Sequence, residues 1–279
     1  MNTTDEMVRL VHPSRRIGKN LLIIFVFLWF FCLILLPVFG IIREAFRDGW
    51  QVFWNKLVSP EAVHSFYLTF WITFAAVLLN TFFGIVLAVT LVKQKFHGKL
   101  FFEGLVDLPF AVSPVVAGFM FILLFGPKGW IGNWFESGGI KIVYAFPGML
   151  IATLFVTLPF VAREIIPVLR EFGLQQEEAA YVLGASRWQT FWRVTIPSIK
   201  WGLAYGVTLT IARSIGEFGA VLVVSGSIIN KTQTATLHIH QQFTDFNYVG
   251  AFSAAILLAI ASFLILTIMQ RLYLRKEVD

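Results

Sequence analysis

Glu177-Glu178-Ala179-Ala180-Tyr181-Val182-Leu183-Gly184, continuing to Val194-Thr195-Ile196-Pro197, lies in the longest hydrophilic interval of an otherwise very apolar chain. Arg163, Arg170, Arg187, Arg193 and Lys200 flank it. Basic residues collect on the cytoplasmic side of membrane proteins, so the interval is expected in the cytoplasm. The pattern predicts short helices from Arg163 to Arg170, from Gln175 to Leu183 and from Ser186 to Val194, the last ended by Pro197. Gly184 suits the position just past a helix end, and Ser186 can cap the helix that follows. Tyr181, Val182, Leu183, Trp188, Phe191 and Trp192 are more apolar surface than a solvated loop should carry, which marks a partner surface.

Composition sets the frame around this knob. Of 279 residues 57% are hydrophobic, 30 are Phe, 9 are Trp and only 14% are charged; mean hydropathy is +0.76. These values describe an all-α polytopic membrane protein. The net charge of +6 does not point to nucleic acid, because the basic residues are spread among short loops and gather on no single face. A single cysteine, Cys32, leaves no disulfide framework and no multi-cysteine metal site. His238 and His240 share no helix face and have no third ligand nearby, so no metal is expected.

Six transmembrane helices are predicted from apolar runs long enough to cross a ~30 Å core. They are Leu21 to Ile42, Phe66 to Val92, Leu105 to Phe125, Ala145 to Ala162, Trp201 to Val224 and Tyr248 to Met269. Ser14-Arg15-Arg16 resembles a twin-arginine export signal, but the first run is span-length and no small-x-small cleavage site follows, so it reads as an uncleaved helix. Pro147, Pro159 and Pro167 punctuate the fourth span, which is expected to kink and not to break. With this alternation one side receives 15 Lys and Arg and the other 6, which places both termini and the Glu177 stretch in the cytoplasm of a multi-pass inner-membrane protein. The organisation reads as a tail at 1–20, a first helix at 21–42, a core at 64–270 containing the loop 163–200, and a tail at 271–279. Most tryptophans fall near span ends as interfacial anchors.

The fifth span carries Arg213 and Glu217, four residues apart. Charges at that depth are expensive against lipid, so the pair should face the bundle interior. Gly202, Gly206, Thr210 and Ala220 continue that face with small or hydroxylated residues. Arg213, Glu217, Ser214 and Thr210 are candidates for the translocation pathway, where a guanidinium could offer forked donors to an oxyanion. The weightier reading of the same pair is an internal tie that fixes helix register, since Glu217 already uses much of the charge and a tight cationic site would hinder release of a dianion. Asn80, Ser113, Thr208 and Ser225-Gly226-Ser227 are secondary candidates. Glu103 and Asp107 read as a solvated helix start. No G-x-x-x-x-G-K-[ST] loop, H-E-x-x-H or G-x-S-x-G occurs, so no catalytic role is expected of the chain itself.

Glu178-Ala179-Ala180, three residues, Gly184, nine residues, then Val194-Thr195-Ile196-Pro197 resembles the E-A-A-x3-G-x9-I-x-L-P signature of permease subunits of type I binding-protein-dependent ABC importers. Val194 and Ile196 replace Ile and Leu. Gly184 to Val194, Ala212-Arg213-Ser214-Ile215-Gly216-Glu217-Phe218-Gly219-Ala220-Val221 and Val224-Ser225-Gly226-Ser227 are similar to the W-type sulfate/thiosulfate permeases. Molybdate/tungstate permeases share the Arg-x-x-Gly-Glu-Phe-Gly pattern and are the nearest alternative; an ion-coupled secondary transporter using Arg213 and Glu217 as a protonation switch is a more distant one. A scaffold for a peripheral complex is a third class. The resemblance implies the type I permease fold, with Glu178, Ala179, Ala180, Gly184, Ala185, Arg187 and Pro197 coupling the bundle to a separate ATPase. It also implies a second homologous permease, a dimer of ATP-binding subunits using ATP and Mg, a periplasmic sulfate-binding protein, and sulfate or thiosulfate as cargo.

Overall fold

The computed structural model describes residues 13–274, with side chains over 18–271. Most of the tails expected at 1–20 and 271–279 therefore lies outside the described residues. The fold is all helix, with no strand among the described residues. A first rod comprises α1 (Pro13–Phe30), a π turn (Phe31–Leu35) and α2 (Leu36–Ala45). Then come α3 (Trp50–Leu57), α4 (Pro60–Lys93), α5 (Lys99–Ala111), α6 (Pro114–Phe125) and α7 (Gly132–Ser137). They are followed by α8 (Phe146–Phe172), α9 (Gln175–Val182), α10 (Arg187–Thr190), a second π turn (Phe191–Thr195) and α11 (Ile196–Ile215). The last described elements are α12 (Gly219–Ser225), α13 (Ala235–Thr244) and α14 (Tyr248–Leu274).

Among the described residues four helices are long and apolar enough to cross a membrane, and up to six crossings result if each of two bent pairs counts as one span. Those pairs correct the expectation of continuous third and fifth spans. Between α5 and α6 the chain turns by 111°, because a residue before proline is pushed out of the α region. Val112 and Ser113, ahead of Pro114, are both extended, with ψ 129° and 135°. The fifth span bends by 52° at Gly216-Glu217-Phe218, where α11 stops. The short second halves, α6 and α12, then pack on each other.

The fourth span departs in the other direction. It does not end at Ala162 but runs unbroken through Pro159 and Pro167 to Phe172, so the expected separate helix from Arg163 to Arg170 is its last turns. Gly173, with φ +67°, ends it.

α8 is the centre of the bundle, held between α4 and α11. Small residues set how close these helices come. A Cβ on Gly84 of α4 would sit 2.7 Å from Val161 Cβ, one on Gly206 of α11 would sit 2.9 Å from Val161 Cα, and one on Gly202 would sit 2.7 Å from the Glu164 carbonyl. Ala88, Val161, Ile165, Leu169 and Ile199 fill the half of this seam that adjoins α9 and α10. Asn80 ties α4 to α8 by donating to Thr157 Oγ1 at 2.7 Å and to the Leu154 carbonyl at 3.2 Å. It is therefore a packing bond between helices. By contrast, α1 is apolar all round and exposed from Leu21 to Phe30, as a helix facing lipid or another membrane chain must be. Its continuation, α2, rests on α14.

Gly206→Leu is expected to lower stability by about 2 kcal/mol or more through overpacking against Val161. Gly40→Leu, with nothing within 4 Å of its would-be Cβ, is the matched control; thermal unfolding in detergent should separate the two variants clearly.

Candidate functional site

The knob is built by two capping motifs around one glycine. α9 ends in a Schellman motif: Gly184, φ +85°, donates its N–H to the Tyr181 carbonyl at 2.9 Å, and Ala185 donates to the Ala180 carbonyl at 3.0 Å. A left-handed residue is required there, and glycine adopts it without steric cost. Ser186 then starts α10 with a capping box, accepting from the Gln189 N–H at 3.3 Å while its own N–H donates to Gln189 Oε1 at 2.9 Å. The outer surface is apolar: Val182 and Leu183 are each 87% exposed, Trp188 is 69% exposed, and Tyr181 and Trp192 are also exposed. Glu178, Ala179 and Arg187 are exposed beside them, with Ala180 and Ala185 half-buried.

Pro197 does not end the second knob helix, contrary to expectation. A proline inside a helix has no N–H to give and clashes with the carbonyl four residues back. Here the turn before it widens, the Ile196 N–H reaching Phe191 O, and the helix passes on into α11. Arg187 to Ile215 is thus one rod, about 40 Å long at 1.5 Å per residue. The same device, Leu36 N–H to Phe31 O ahead of Pro37, carries the first rod past its proline.

The knob's inner side is tied down by a charge. Glu177 is 6% exposed. Its Oε1 accepts from Lys93 Nζ, at the end of α4, and from Thr195 Oγ1 in the π turn at 2.6 Å. Lys93 also donates to Thr195 Oγ1 at 3.2 Å. Glu177 and Glu178 are therefore adjacent carboxylates with opposite orientations, one inward and one outward. Glu103 and Asp107 are not a merely solvated helix start: Arg163 grips Asp107 with two bonds of 2.7 and 2.8 Å, and Arg170 donates to Glu103 at 2.7 Å, so they pin α5 to α8.

At the far end of the rod, Arg213 and Glu217 do meet, but not on a regular helix. Arg213 Nη1 lies 2.6 Å from Glu217 Oε2, an ionic contact off the angle of a hydrogen bond. Glu217 Oε1 accepts the Ala220 N–H of α12 at 2.9 Å, and Thr236 Oγ1 donates to the Glu217 carbonyl at 2.7 Å. The glutamate therefore spans the break and is enclosed, whereas one third of the Arg213 side chain is exposed. Thr210 is fully buried and donates to the Gly206 carbonyl within its own helix. Ser214 is buried beside a void of about 10 Å³ shared with Thr69, Thr153, Glu217 and Thr234. Among the secondary candidates, Thr208 donates to the Ala204 carbonyl and Ser225 Oγ accepts the Ser227 N–H, both local bonds. Ser113, just before α6, is exposed.

His238 is buried and His240 exposed; burial holds the His238 imidazole below the ordinary histidine range. Among the described residues no three His, Cys, Asp or Glu are grouped to hold a metal.

Glu217→Leu leaves the Ala220 N–H and the Arg213 guanidinium without partners, and is expected to cost about 3 kcal/mol. Glu217→Gln retains the acceptor and should cost clearly less in the same unfolding measurement.

Residues 80–278 match the family described as binding-protein-dependent transport system inner membrane component. The sulfate transport system permease protein CysW of Synechocystis sp. is 49% identical over 242 residues, 87% of this chain and 88% of that protein. The sulfate transport system permease protein CysT of Escherichia coli K12 is 38% identical over 240 residues, 86% of this chain and 87% of that one. Among solved structures, a bacterial alginate ABC transporter in complex with an alginate pentasaccharide-bound periplasmic protein has a chain of the same fold, with a TM-score of 0.80 at 18% identity over 94% of this chain and 96% of that chain. With more than half its length inside the match and its helices arranged in that fold, the chain belongs to the family of inner-membrane components of binding-protein-dependent transport systems.

Proposed function

We propose that this chain is the permease subunit of an ATP-driven importer that carries sulfate and thiosulfate across the inner membrane. The relatives named as sulfate transport permeases, each similar along nearly nine tenths of the chain, support the cargo. The observation that carries the mode of coupling is the exposed apolar knob, joined by an uninterrupted helix to the span that holds Arg213. The chain itself does no chemistry; a pair of ATP-binding subunits uses ATP and Mg. A second homologous permease completes the path, as the existence of both CysW-type and CysT-type relatives suggests. A periplasmic sulfate-binding protein delivers the anion, in the manner of the periplasmic protein seen with the alginate transporter. Both termini lie in the cytoplasm with the knob.

In this reading Glu178, Ala179, Ala180, Gly184, Ala185, Arg187 and Pro197 shape the surface that the ATP-binding subunit grips. Closure of the two ATP-binding subunits moves the knob, and the rod carries the movement to the level of Arg213. Arg213 retains exposed donors for a passing dianion. The enclosed Glu217 keeps the local field weak enough for release, as a conducting path requires. Thr210 and Ser214 serve helix packing.

The test is uptake of labelled sulfate by vesicles holding the whole complex. Uptake should require ATP, be competed by thiosulfate more strongly than by molybdate, and vanish in Gly184→Pro while the variant still inserts. Proline cannot adopt a φ of +85° and would lose the bond to the Tyr181 carbonyl. Stronger competition by molybdate would favour a molybdate/tungstate permease. Uptake that survives without ATP but collapses with the proton gradient would favour an ion-coupled carrier, and normal uptake in Gly184→Pro would overturn coupling through the knob.

A further inference from the structure

We propose that Lys93, Glu177 and Thr195 form a buried latch that fixes the angle of the knob and makes coupling tight, with Lys93 and Glu177 as positioning residues. The inference rests on the reading of the knob as the ATP-driven surface and adds to it the way that surface is held.

Three elements meet at one carboxylate oxygen. Lys93 is the last residue of α4, Glu177 lies in the first turn of α9, and Thr195 closes the π turn ahead of Pro197. Each charge is placed where a helix dipole favours it, a cation at a C-terminus and an anion at an N-terminus. Glu177 and Thr195 are buried, at 6% and 1% exposure, and the Lys93 side chain is 18% exposed. An ion pair held this far from water is strongly directional, because either charge left alone would be uncompensated. Elsewhere α9 is poorly anchored: it touches α10 and the π turn but buries only Glu177 of its own residues. Its orientation therefore depends mainly on this contact. A push on the exposed face of α9 must move α4 through Lys93 and α11 through Thr195 together. Without the latch α9 can pivot about Gly173 and Gly184, the positive-φ glycines at its two ends, and the push is lost.

The experiment measures sulfate transported per ATP hydrolysed in the reconstituted complex of permeases, ATP-binding subunits and binding protein. A loss of folded protein lowers both rates and leaves this ratio unchanged, so the ratio reports position. Lys93→Met is expected to lower it about tenfold, and Thr195→Val, which keeps the ion pair and the side-chain shape, about threefold. The reversed pair, Lys93→Glu with Glu177→Lys, should recover most of the ratio lost in either single reversal. The proposal is overturned if Lys93→Met and Thr195→Val both stay within about twofold of wild type, or if the reversed pair is no better than its single members. Gly184→Pro separates the two readings. If it blocks uptake while the latch variants couple normally, only the latch fails; if it too couples normally, the knob itself is not the driven surface.

Discussion

Pro197 has no N–H to donate, and the arrangement of the knob and the helices beside it follows from how the helix gets past it. By widening one turn so that Ile196 reaches back to Phe191, the chain satisfies its backbone and keeps its direction. A conventional α turn there would have met the proline ring and kinked or ended. What results is a stiff rod from Arg187 to Ile215. The aromatic residues Trp188 and Trp192 stand at one end, outside the bundle, and Arg213 at the other. Proline thus helps to join the exposed apolar knob to the span that carries Arg213.

The rod is useful only if the rest of the bundle holds it, and the means differ along its length. In the apolar middle, where water cannot compete, Gly202 and Gly206 let α11 press on α8, and Gly84 lets α4 do the same from the other side. At the knob end charge takes over, with Arg163–Asp107 and Arg170–Glu103 joining α5 to α8 and the enclosed Lys93–Glu177 pair joining α4 to α9. The first two pairs are exposed enough that each contributes little alone. The third is shielded and directional. At the opposite end the helix break is stabilised by Glu217, which caps α12 and meets Arg213, while Thr236 from α13 closes over its carbonyl.

Much of this was legible in the residues, and the rest was hidden for physical reasons. Gly184 and Ser186 announced their caps because only certain residues suit those backbone positions. The spans announced themselves by length and apolarity. The breaks at Ser113 and Gly216 did not, because hydropathy is blind to direction: Ala111-Val112-Ser113-Pro114 is as apolar as a straight helix. Its one signal was Ser113 before Pro114, and Pro159, Pro167 and Pro197, which the helices absorb, show why proline alone is ambiguous. Glu177 was overlooked in favour of Glu178 because two neighbouring carboxylates look alike until the Lys93 side chain, 84 positions earlier, is brought beside one of them. Arg163 and Arg170 likewise found Asp107 and Glu103 only through the fold.

In the proposed coupling, force enters this bundle from another polypeptide at the outward face of α9 and leaves along the rod. The most direct measurement is cross-linking from a single cysteine at Val182 in a cysteine-free background, in membranes containing the assembled complex, with and without a trapped nucleotide. A cross-link to the ATP-binding subunit is expected, with a yield that changes when nucleotide is trapped. A residue that links only within its own chain, or a link to the ATP-binding subunit indifferent to nucleotide, would contradict it.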